Sequence, residues 1–167
     1  MRVVVADATP LHYLILIDAV NVLPRIFEKI HVPMEVRDEL TYAATPPPVR
    51  TWMQQPPEWL EILAAPVAAS EDSSLQALDL GERAAIVLAE SIRADLLLID
   101  DRAGAALAQQ RGLAVTGTLG VLDLASQAGL LDLQDAFTRL QKTNFRYPPS
   151  LLETLLDEER NRRKREV

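Results

Sequence analysis

The sequence predicts an α/β protein, a single three-layer α/β/α domain built around a mostly parallel central sheet. Short continuous apolar runs, Val3-Val4-Val5-Ala6 and Leu96-Leu97-Leu98-Ile99, read as strands buried on both faces. Segments with helical periodicity alternate with such runs, which implies parallel strands joined by right-handed crossovers. Each of the two strongest runs ends in acid, Asp7 after the first and Asp100-Asp101 after the second. Ligands of open α/β sheets bind just beyond the carboxyl ends of the strands, so these acids are expected to converge on one edge of the sheet. Two close carboxylates in a semi-exposed site repel by about 4 kcal/mol. A divalent cation relieves that repulsion.

Taken in order, residues 2–6 form the first strand, and Thr9-Pro10 starts a helix with Leu11, Leu14, Ile15 and Ile17 on its apolar face. Asn21 to Pro24 breaks that helix and begins a short second one through Phe27. Lys29 to Val32 is a short strand ended by Pro33; because proline suits a first helical turn, Met34 to Tyr42 follow as a helix. The Pro46-Pro47-Pro48 run reads as a turn or stiff spacer. Residues 49–59 form a packed helix–loop segment holding Trp52 and Trp59, Leu60 to Leu63 an edge strand, and Ala64 to Ser74 a surface loop. Helices at 81–93 and 102–111 flank the strand at 96–99, and Gly112 closes the second of them. Leu113 to Thr116 makes the last strand, Gly117 to Gly120 opens another helix, and helices at about 132–142 and 149–163 finish the chain. No repeat and no second domain is evident.

A chain of 167 residues suffices for one domain with a hydrophobic core. No apolar stretch approaches the ~18 residues that span a bilayer, so no membrane association is expected. The first residues lack the apolar core and cleavage site of a signal peptide. The absence of cysteine removes disulfides, thiolate nucleophiles and zinc–sulfur centres together, and points to a cytoplasmic protein. A net charge of −7 argues against binding a polyanion by bulk charge. Arg160, Arg162, Arg163, Lys164 and Arg165 crowd the end of the chain. They form either a solvated helix terminus that complements the dipole or a face turned to a partner or nucleic acid.

Asp7 is the strongest single position, since a charge at the end of a buried strand is costly unless it meets a cleft or a partner. Its competing role is to cap the helix that follows, and Thr9 stands close enough to share a hydrogen-bonding role. Glu82 lies in Asp79-Leu80-Gly81-Glu82, which has the spacing of a capping box and so a sufficient structural use. In extended chain the adjacent side chains of Asp100 and Asp101 point to opposite faces. One therefore reaches the cleft while the other caps the next helix; Asp101 is the first choice for the cleft and Asp100 the second. Glu39 shares its helix with an acidic neighbour, Asp38. His12 and His31 lack metal-ligand spacing, and neither a Gly-x-x-x-x-Gly-Lys-Ser/Thr loop nor a Gly-x-Gly-x-x-Gly after the first strand is present. Gly117-Thr118-Leu119-Gly120 could offer backbone N–H groups to a phosphate at a helix start.

Five segments together resemble the PIN-domain nucleases. They are Asp7-Ala8-Thr9-Pro10-Leu11, Val32-Pro33 followed by Glu39-Leu40, Leu80-Gly81-Glu82-Arg83-Ala84-Ala85-Ile86, Leu98-Ile99-Asp100-Asp101-Arg102, and Gly117-Thr118-Leu119-Gly120-Val121-Leu122. More narrowly, they look like a prokaryotic domain-of-unknown-function branch similar to VapC-type toxins. The resemblance covers roughly residues 2–130. It implies a PIN-like nuclease domain over residues 1–145, with residues 146–167 forming a C-terminal helix and basic tail packed on, or extending from, the same domain. The implied activity is Mg²⁺- or Mn²⁺-dependent hydrolysis of RNA phosphodiesters by the toxin of a type II toxin–antitoxin pair. Carried over by position, the catalytic acids are Asp7, Glu39, Glu82 and Asp101, and the metal ligands Asp7, Glu82, Asp100 and Asp101. Thr9, Thr118, Arg83 and Arg102 would position substrate. Glu82 is a departure, because many members carry Asp there. The implied partners are RNA, a small antitoxin protein and a second copy in a homodimer.

The second reading is a non-catalytic regulatory or binding module on the same fold. A phosphoacceptor receiver needs a lysine near a late strand end, and Lys29, Lys142 and Lys164 are not so placed. A haloacid-dehalogenase-like phosphatase needs Asp-x-Asp after the first strand, where this chain has Asp7-Ala8-Thr9.

Overall fold

A computed structural model describes residues 2–67 and 73–167; residues 68–72 of the loop expected over 64–74 lie outside the described residues. Strands β1 (Val4–Ala6), β2 (Ile30–Pro33), β3 (Leu60–Leu63), β4 (Leu96–Leu98) and β5 (Val115–Thr116) form one sheet, in the order β3-β2-β1-β4-β5. Every pairing is parallel, with Val4 opposite Ile30 on one side and Leu96 on the other. The chain builds outward from β1 to β3, then returns to lay β4 and β5 on the opposite side of β1. The strand order therefore reverses between β1 and β4, the point at which doubly wound sheets open a ligand crevice.

Alternation along the strands divides the apolar interior in two. Val4, Ala6, Leu96 and Leu98 face one core with helices α1 (Ala8–Leu16), α2 (Leu23–Phe27), α3 (Met34–Leu40) and α4 (Pro47–Gln54). Helices α7 (Thr118–Gln127), α8 (Leu133–Gln141) and α9 (Pro149–Arg165) add to that same core. Val5, Leu97 and Ile99 face the other, with α5 (Leu80–Ser91) and α6 (Arg102–Gln110). The result is the expected three-layer α/β/α arrangement. Among the described residues no single helix is long and apolar enough to cross a membrane. The bent pair Ala8–Leu16 and Val20–Phe27 meets at 116° and buries Leu11, Leu14, Leu23 and Phe27 in the core.

Two local expectations are corrected. The proline run is no spacer: Pro46 caps α4, and Pro47 opens it, because first-turn N–H groups have no intrahelical acceptor to lose. For the same reason Pro10 sits inside the first turn of α1, which starts at Ala8 rather than after Pro10. Trp52 and Trp59 pack against each other with ring centres 5.7 Å apart, and both lie against the core. The basic end of α9 is largely neutralised within the molecule. Arg162 pairs with Asp123 at 2.7 Å, Arg163 with Asp132 at 3.2 Å and Arg160 with Asp157 at 3.0 Å, while Leu152 and Leu156 bury the opposite side of the helix.

Helix α5 ends with exposed Arg93 at φ +54°, where the Ala94 N–H reaches back to the Ala89 carbonyl at 2.8 Å. A side chain is strained in this left-handed conformation and glycine is not. Arg93→Gly is expected to raise stability by about 0.5–1 kcal/mol, a gain of ~1–4 °C in a thermal melt.

Candidate active site

Asp7 directly follows β1, and its backbone N–H donates to the Leu98 carbonyl at 2.8 Å, tying the end of β1 to β4. The residue is only 3% exposed. It occupies the N-cap position of α1, yet its carboxylate makes no capping hydrogen bond. The structural role that competed for Asp7 is therefore not taken up. Burial pushes its pKa up to about 8 against the lowering effect of the Ala8 N–H, and the negative charges of Glu39, Glu82 and Asp79 add to the rise.

The other acids arrive from α3 and α5 and meet at Gly81. A Cβ on Gly81 would lie 2.7 Å from Glu39 Oε2 and 3.6 Å from both Asp7 Oδ1 and Asp79 Oδ1. Only glycine leaves room there, so three carboxylates gather within about the width of one side chain. Glu39 opens to the cleft at the end of α3; desolvation by the surrounding walls raises its pKa, and Asp79 raises it further. Asp38, its neighbour, turns instead to Arg37 at 2.8 Å.

Asp79 and Glu82 form the expected capping box. Asp79 Oδ1 accepts from the Glu82 N–H at 2.8 Å, and Glu82 Oε2 accepts from the Asp79 N–H at 3.2 Å. Burial, then Asp79, then Asp101 push the Glu82 pKa up to about 7. The box therefore does two things: it starts α5 and holds two carboxylates toward Asp7. Asp79 is the site residue that sequence reasoning missed, because its capping role was a sufficient explanation. Gly81 within the box was the available signal.

The adjacent aspartates separate as extended geometry requires, but Asp101, the first choice for the cleft, takes the helix-cap role instead. Asp101 caps α6, with Oδ2 accepting from the Gly104 N–H at 2.7 Å, and its charge still reaches Glu82. Asp100 turns toward α7, where it accepts from the Thr118 N–H at 2.7 Å and the Thr118 hydroxyl at 2.6 Å. Burial raises the Asp100 pKa, and the two Thr118 bonds oppose the rise. Thr118 is fully buried, so a direct contact with substrate, expected for it above, gives way to positioning Asp100. Thr118→Val leaves one carboxylate oxygen without its donor and is expected to cost about 1–3 kcal/mol in urea unfolding.

Around this edge opens a cleft of about 940 Å³, lined by Thr9, Tyr13, Glu39, Asp79, Gly81 and Arg83 among others. Thr9 and Arg83, two of the residues expected to position substrate, line this cleft. Arg102 is exposed on the first turn of α6. Arg83 Nε is buried without a hydrogen-bond partner among the described residues. His12 lines the cleft against Tyr13, while His31 sits near Glu61 on β3, so the two histidines serve separate places.

The donor chemistry suits a hard cation, since every charged acceptor around Gly81 is a carboxylate oxygen. Among the described residues no group of three or more Asp, Glu or His side chains is arranged to hold a metal ion.

A parallel doubly wound sheet with a buried, uncapped acid at its switch point defines an α/β domain whose working edge is an acidic cleft. The chain matches the DUF3368 family, a PIN domain, over residues 3–160 and belongs to that family. PIN domains are generally nucleases, and they typically use divalent metals. No curated protein matches the chain.

Proposed function

We propose that this protein is a metal-dependent endoribonuclease that hydrolyses RNA phosphodiester bonds at the Gly81 cleft, and that it acts in the cytoplasm as the toxin of a type II toxin–antitoxin pair. The carboxylates converging on Gly81 carry this reading. Asp7 is buried and faces two further acids, so without a cation it holds a proton up to about pH 8, and a cation would stabilise its ionised form. Asp7 and Glu39 would hold Mg²⁺ or Mn²⁺, and Glu82, Asp100 and Asp101 are the further acids that the motifs offer to it. When bound, the ion supplies Lewis acidity toward water and the phosphate oxygens. Glu82, with its pKa near 7, is matched to accept a proton at neutral pH. Arg83 and Thr9 line the cleft, where they would orient a phosphate oxygen or water, and Arg102, exposed on the first turn of α6, is a further cation for the substrate. The toxin role, the small antitoxin and the homodimer rest on the likeness of the motifs to VapC-type toxins.

Wild-type protein is expected to cut RNA with Mn²⁺ or Mg²⁺, to lose that activity in excess EDTA, and to be slowed by Asp101→Asn. Cleavage that persists in EDTA would sink the proposal. Firm cation binding with no cleavage across a broad RNA panel would favour the non-catalytic module instead, a reading to which the structural use of Glu82 in the capping box lends support.

A further inference from the structure

A second cleft, of about 410 Å³, lies between the ends of β4 and β5 and the segment that leads into α9, lined by Asp100, Gly117, Phe145, Arg146, Tyr147 and Leu151 among others. It adjoins the acidic cleft at Tyr13 and Phe145, which line one cleft each and have ring centres 4.9 Å apart. Burial, and then the charge of Asp100 in the second cleft, raise the Tyr13 pKa. A run of rings follows the same path. His12 and Tyr13 have ring centres 4.8 Å apart, Tyr13 and Phe145 meet edge to face at 4.9 Å, and Phe145 and Tyr147 lie 19° from parallel at 6.3 Å. The Tyr13 hydroxyl donates to Asn144 at 2.8 Å and pins this segment to α1. Arg146 is exposed among these rings and has no ion-pair partner among the described residues, although most cations of neighbouring α9 are paired.

Resting on the nuclease reading, we propose that this groove is a nucleotide subsite for the single strand continuing past the cleaved phosphate, with Phe145 and Tyr147 stacking bases and Arg146 contacting backbone phosphate. Aromatic faces interleaved with a free cation are how proteins hold single strands without reading sequence. An acidic chain must also place cations locally wherever a polyanion is to lie. Asp100, one of the acids assigned to the metal, lines the groove itself, which favours this occupant over an apolar peptide. Such a peptide would use Leu151 and Leu155 and have no need of Arg146.

The test uses fluorescein-labelled single-stranded RNAs of about 4 and 12 nucleotides, since a single binding unit spans ~4–16 nucleotides. Binding is read by anisotropy without divalent cation, and cleavage is read with Mn²⁺. Arg146→Ala is an exposed change, and Tyr147→Ala is accompanied by a melt to verify folding. Both are expected to weaken binding of the long RNA about tenfold and raise its KM similarly, leaving kcat and the short RNA unchanged. Arg146→Ala should also flatten the slope of log K against log salt by about 0.7, a change that loss of packing alone would not produce. Unaltered long-RNA affinity in both variants overturns the subsite and leaves the nuclease reading intact. Binding that depends on the groove in a wild-type protein that cuts no RNA would support the subsite while removing the nuclease reading.

Discussion

Asp7→Asn is expected to abolish RNA cleavage and at the same time to make the protein more stable above neutral pH. Asn keeps the shape of the side chain but cannot ionise. In the wild type the Asp7 pKa is raised from 3.8 to about 8, first by burial and then by Glu39, Glu82 and Asp79. The folded state therefore holds a proton that the unfolded chain releases. Any stability this group contributes is fully present below its unfolded pKa and is lost as pH rises through about 8. Glu82 acts in the same direction up to about 7. Wild-type stability should consequently fall between about pH 4 and pH 8, and Asp7→Asn should flatten that fall. At pH 8 the gain is on the order of 2 kcal/mol, or about 4–8 °C in a melt. Activity should drop by about 10²-fold or more, since the substitution removes an oxygen that ionises to hold a bound cation at the reacting edge. A variant that cuts RNA normally, or one that melts lower than wild type at pH 8, contradicts the role given to Asp7.

Gly81→Ala tests the same edge from the opposite direction. The new methyl would stand 2.7 Å from Glu39 Oε2, inside contact distance, and Glu39 is the group free to swing away. Displacing a positioned group by ~1 Å can cost about 10²-fold in rate. Gly81 stands in the first turn of α5, and alanine there narrows the freedom of the unfolded chain, worth about 0.4–1 kcal/mol. Retained or raised melting temperature is therefore expected together with lost cleavage and weakened Mn²⁺ affinity in calorimetry. A variant that folds, binds Mn²⁺ and cleaves as the wild type does would show that the space above Gly81 is not the working volume.

Much of the fold was legible because its strands are buried on both faces and so appear as unbroken apolar runs between helical segments. The prolines at 46–48 misled because the sequence pattern does not distinguish a stiff spacer from a helix whose first turn tolerates proline. For the acids, the ends of the strands pointed to Asp7 and to the Asp100–Asp101 pair, since a carboxylate after a buried strand needs a reason. Their division of labour was not legible. Alternation separates the two side chains but does not say which meets Thr118 and which meets Gly104. Asp79 stayed hidden behind its local hydrogen bond to Glu82, because the approach of α3 to α5 that brings Glu39 to Gly81 is a tertiary event. The basic end of α9 reads in sequence as one patch, and it resolves into separate pairs only when Asp123 and Asp132 pack beside it.

The sheet separates two apolar cores that share few side chains, and the acidic edge draws on both layers. Glu39 belongs to a helix of the first core, while Asp79, Glu82 and Asp101 belong to helices of the second. An ion held among them would act as a rivet where α3 and α5 already meet. Rigidity would then become a property of the loaded protein, gained at saturating cation by mass action and relinquished on chelation. Core substitutions far from the cleft could tune the spacing of the acids by letting one layer slide a fraction of an ångström against the other.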